Sequence, residues 1–98
     1  MTNQKNNDRE EIIPPLELRS LILPFYTQAL VKLGQLIDPI TNEKSENLKL
    51  AKRLIDILDL LKAKTQGNLI EEEASLLEEC ILQLKNVYLE KINIITRS

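Results

Sequence analysis

Apolar residues recur every three to four positions through three stretches of the chain, and polar, turn-forming residues separate the stretches. That spacing predicts three amphipathic helices. In the first stretch Leu18, Leu21, Ile22, Phe25, Ala29 and Leu33 fall on one side. Pro14-Pro15 gives it a start signal, because proline is tolerated in the first turn, where its missing N–H is not needed. A helix over about 16–34 follows, with Pro24 either kinking it or marking its true start. Gly34 lies at its end, and Asp38-Pro39 with Asn42 makes the next segment a loop by turn chemistry. The second helix, about 46–66, has Ser45 or Asn47 as its cap. It carries Ala51, Leu54, Ile55, Leu58 and Leu61 on one face, with Leu50 and Ile57 widening the stripe. The third, about 70–94, carries Leu77, Cys80, Ile81, Leu84, Val87 and Tyr88 at the same spacing, which continues to Ile95. Its opening run Glu71-Glu72-Glu73 places carboxylates at the positive end of the helix dipole.

The joint between the second and third helices is the sharpest local signal. Over Lys64, Thr65, Gly67, Asn68 and Leu69 one helix stops and another starts. A glycine there can adopt the left-handed conformation that closes a helix and lets backbone amides reach its last carbonyls. So tight a joint predicts two helices folded back on each other. The expected architecture is an all-α, three-helix domain over residues 14–95, built on an antiparallel helical hairpin with a glycine-capped turn. Residues 1–13 are polar and without periodicity, and read as a disordered tail.

Composition narrows the chemistry. The 98 residues are 43% apolar but only 3% aromatic, so the core must be aliphatic. A net charge of -2 argues against nucleic acid, which needs clustered Lys and Arg. A helix-turn-helix reading fails at the same point, because the would-be recognition helix opens with three glutamates facing phosphate. The longest apolar run, Leu21 to Tyr26, is too short to cross a membrane. An acidic flank (Glu10, Glu11, Glu17) disfavours docking of the first helix on anionic lipid. One cysteine, Cys80, cannot form an internal disulfide and fits a reducing compartment as a small core residue. The first residues lack the basic-then-apolar order of a secretion signal. The expectation is a cytoplasmic protein.

The chain has no histidine. It therefore lacks the commonest general base and metal ligand near neutral pH, and no Ser-His or Cys-His pair can form within it. Its two glycines lie too far apart for a phosphate-binding loop. Carboxylates remain. Asp56, Asp59, Glu72 and Glu73 could converge across a hairpin to hold Mg²⁺ or Mn²⁺ and support hydrolysis. The plainer reading is a solvated acidic face paired with Lys52, Lys62 and Lys64. No cofactor and no catalytic residue is expected.

Three leucines stand off the core stripes: Leu60 in the second helix, and Leu82 and Leu89, seven residues apart, in the third. Single exposed leucines need no explanation, but two in line beside a broad apolar stripe suggest a surface for a partner. The expected function is non-catalytic, acting by self-association or by binding another helical protein, with carboxylate-based hydrolysis as the alternative.

From Leu23 to about Glu90 the chain resembles a small bacterial family catalogued as domain of unknown function 1844. The resemblance rests on Thr27-Gln28-Ala29-Leu30, Leu33-Gly34, Asp38-Pro39, Asn47-Leu48 with Ala51, and Ile55-Asp56 with Leu58 and Leu61. It continues through Lys64-Thr65, Gly67-Asn68-Leu69, Glu73, Leu76-Leu77, Leu84 and Tyr88. It implies a short all-helical protein and supplies no activity. Several positions depart from the family pattern. Ile70 stands where Thr or Ser would complete a capping box with Glu73, a loss costing about 1 kcal/mol. Asn68 with Glu71 offers the same spacing two residues earlier. Lys32 replaces a frequent histidine, Leu82 a frequent aromatic, and Lys85 an arginine whose forked donors it lacks.

Overall fold

The computed structural model describes residues 17–97, with side chains through residue 93. The expected disordered tail over residues 1–13 and the Pro14-Pro15 start signal lie outside them. Among the described residues there are three helices: α1 (Arg19–Lys32), α2 (Leu48–Thr65) and α3 (Glu71–Arg97). The protein is all-α.

The periodic stripes meet in one aliphatic core. Ile22, Ala29 and Leu33 from the α1 end, Ala51, Ile55 and Leu58 from α2, and Leu77, Cys80, Ile81 and Leu84 from α3 are all buried. Among the described residues no polar side chain is buried. The helices are therefore held mainly by apolar area, each fully buried leucine or isoleucine contributing roughly 1.5–3 kcal/mol. Leu21 is 46% exposed, against the expectation that it lines the core. It sits one residue, about 100° of helix rotation, from Ile22, and Ile22, Ala29 and Leu33 already fill that face. Pro24 lies within α1 and does not divide it.

Cross-helix pairs give the direction of packing. Asp59 pairs with Lys85 at 2.9 Å and Lys62 with Glu78 at 3.3 Å. Moving forward along α2 therefore moves backward along α3, and the two run antiparallel. Tyr26 of α1 donates to Gln83 of α3. Lys91 of α3 pairs with Glu46 in the segment leading into α2.

Both glycines have positive φ, +78° at Gly34 and +85° at Gly67, but they do different work. At Gly34 the amide of Gln35 donates to Leu30 O (2.9 Å) and that of Gly34 to Val31 O (3.0 Å). These two bonds are the Schellman pattern, with Gly34 in its left-handed position. Gly67 differs from the expected cap. Gln66 has φ -56° and ψ 131°, Gly67 follows at positive φ, and Asn68 N–H closes onto Thr65 O at 2.9 Å. That is a type II turn, which requires a residue tolerant of positive φ at its third position. Thr65 back-bonds within the last turn of α2, its hydroxyl donating to Leu61 O at 2.7 Å.

Helix starts are equally specific. Asn47 caps α2, its side-chain oxygen accepting Leu50 N–H at 3.1 Å. Ile70 precedes α3, and Ala74 N–H bonds its carbonyl at 3.0 Å. Glu73 reaches back to Ile70 N–H at 3.3 Å, so half of the capping box survives. The alternative start at Asn68 is not used, because Asn68 is engaged in the turn.

Candidate interaction surface

The outer sides of α2 and α3 carry the groups that sequence reasoning singled out. Leu60, Leu82 and Leu89 are 57%, 60% and 56% exposed. Leu82 lines a shallow groove of about 490 Å³ between the two helices, with Asp59, Lys62, Ser75, Glu78 and Lys85 around it. The charged residues of the groove are the cross-helix ion pairs themselves. Their side chains are roughly half exposed, so each pair is worth at most about 1 kcal/mol. Leu60 stands outside the groove, on the side of α2 turned away from Leu58 and Ile55.

The four candidate metal-binding carboxylates do not come together. Asp56 pairs with Lys52 of its own helix at 3.1 Å, and Asp59 with Lys85. Glu73 is used as the α3 cap. Glu72 and Glu73 both line a depression with Glu17, Arg19 and Ile70 near the start of α1, away from Asp56 and Asp59. Among the described residues no three of Cys, Asp or Glu are grouped to hold a metal ion. The hydrolytic alternative required convergence, and an antiparallel hairpin separates these groups because Asp56 and Asp59 sit several turns from the start of α3.

Cys80 is buried between α1 and α3, and burial, reinforced by the Glu79 carboxylate, pushes its thiol pKa up. Tyr26 is raised too, first by burial and then by Cys80. A buried thiol held neutral, in a chain without histidine, is a core residue and no nucleophile.

Charge is segregated by helix, a feature hidden by the small net charge of the whole chain. On α2, Lys49, Lys52, Arg53, Lys62 and Lys64 outnumber Asp56 and Asp59. On α3, Glu71, Glu72, Glu73, Glu78, Glu79 and Glu90 outnumber Lys85, Lys91 and Arg97. The sequence reading pairs the acids with Lys52, Lys62 and Lys64 alone. Counting charge helix by helix would have exposed the asymmetry.

A family profile described as "Domain of unknown function (DUF1844)" matches residues 15–90. The chain belongs to this family. The DUF1844 match takes in α1, α2 and most of α3, with both glycines and with Leu60, Leu82 and Leu89. No curated protein and no solved structure matches the chain. Membership of DUF1844 assigns no activity and leaves function to be argued from the surface. Among the described residues no helix is long and apolar enough to cross a membrane.

Proposed function

We propose that this DUF1844 protein is non-catalytic and acts by binding, through self-association or docking to another helical protein on the outer faces of α2 and α3. The observation that carries the reading is the line of Leu82 and Leu89, both more than half exposed on one side of α3 while Leu77, Ile81 and Leu84 fill the core. Exposed leucines aligned along a regular helix suit a helix-on-helix contact, in which residues seven apart return to the same side. Among the described residues, no group of three Cys, Asp or Glu side chains is placed to hold a metal ion.

Light scattering on the wild type and on Leu82→Glu/Leu89→Glu tests it. The expected outcome is a wild-type mass above that of the monomer, or partner binding, lost in the variant while helicity and melting temperature are kept. A monomer in both, with no partner recovered by the wild type, removes the reading.

A further inference from the structure

We propose that the occupant of this outer surface is a second copy of the chain, with α2 of each copy lying antiparallel on α3 of the other about a two-fold axis parallel to the helices. The proposal rests on the binding reading above and specifies its partner and geometry. Charge complementarity chooses the occupant. The outward side of α2 is mainly basic and apolar, with Arg53, Leu60 and Lys64 exposed and Asp56 paired to Lys52, while the outward side of α3 is acidic and apolar, with Glu79, Leu82 and Leu89 exposed. Pairing α3 with α3 would set glutamates against glutamates, and pairing α2 with α2 would set cations against cations. Only the crossed pairing joins unlike charges, and a two-fold axis makes both crossed contacts at once, giving a closed dimer.

Heights along the helices agree with this. Within one copy Asp59 is level with Lys85 and Lys62 with Glu78. A two-fold axis parallel to the helices keeps every residue at its own height. Leu60 then meets the partner's Leu82, Arg53 the level of the partner's Leu89 and Glu90, and Lys64 that of the partner's Glu79. The three off-stripe leucines, which no intramolecular packing explains, become one seam with charges at its rim. Helix-dipole preference accounts for Lys62 and Lys64 at the end of α2 and for the glutamates that open α3. It does not account for Arg53, Glu79 or Glu90, which lie away from those ends.

Charge-reversal variants with analytical ultracentrifugation test the arrangement, with circular dichroism confirming helicity. Arg53→Glu/Lys64→Glu and Glu79→Lys/Glu90→Lys should each weaken the wild-type dimer about tenfold or more, since each sets like charges against each other. Mixing the two variants should restore a dimer, because each then offers the other unlike charges at both contacts. If either variant loses helicity, Arg53→Gln/Lys64→Gln and Glu79→Gln/Glu90→Gln take their place. The wild-type dimer should then weaken in each and dissociate further as salt rises to about 0.5 M. A wild type that stays monomeric overturns self-association and leaves docking to another protein standing. A wild-type dimer indifferent to the reversals, or a mass that grows without closing, overturns this arrangement alone.

Discussion

At Ile70 the third helix begins with half of a capping box: Glu73 reaches back to the Ile70 amide, but no side chain returns the bond to the first free amides of α3. Ile70→Thr should complete the exchange and stabilise the fold by about 1 kcal/mol. For a domain of this size that is a rise in melting temperature of roughly 4–8 °C, read by circular dichroism. The two glycines invite a paired comparison. Alanine at either position must hold a left-handed φ, at roughly 1–2 kcal/mol. At Gly67 the added methyl meets open space, whereas at Gly34 it would lie 2.8 Å from Glu46 Cγ and displace the side chain that pairs with Lys91. Gly34→Ala should therefore melt clearly below Gly67→Ala. The sequence marks both glycines as helix ends, and spells out a left-handed closing conformation only for Gly67. A helix end was legible in both places, but the partner of each amide depends on where the following residues go, and short-range pattern does not carry that.

Among the elements, all three helices were legible because each has a core stripe at helical spacing. Their ends moved by a few residues, since a cap such as Asn47 depends on which of several polar neighbours wins the backbone. The contact of α1 with α3 offers its own test. Cys80 and Tyr26 both have pKa values raised by burial. A group raised on folding contributes stability that is complete below its unfolded value and lost as pH climbs through its folded one. Melting temperature should thus begin to fall above about pH 8.5, the ordinary thiol value, and fall further as Tyr26 follows above about pH 10. Cys80→Ala should flatten the first part of that decline. The same burial predicts that a thiol reagent such as Ellman's leaves Cys80 unmodified in the native protein and titrates it fully in guanidinium.

For the molecule as a whole, the surface was only partly legible. Exposure of Leu60, Leu82 and Leu89 followed from their place off the stripes, and their angular position alone foretold it. The dispersal of Asp56, Asp59, Glu72 and Glu73 did not follow, because convergence across a hairpin depends on the length of its turn and the rotation of each helix. With Glu73 capping α3, Asp56 and Asp59 paired to lysines and Glu72 apart from both, titration with Mg²⁺ or Mn²⁺ should give no saturable heat and no shift in melting. A single bond has a further consequence at this scale. The amide of Asn47, the residue that caps α2, donates to Lys32 O at the last turn of α1 with a length of 2.8 Å. The residue that starts one helix is thereby tied to the carbonyl that finishes another. Fraying of the α1 terminus releases the α2 cap, so the two ends form one cooperative opening unit despite the fourteen residues between Lys32 and Asn47. In native-state hydrogen exchange the Asn47 and Leu50 amides should open with a common free energy, and Gly34→Ala should lower both together.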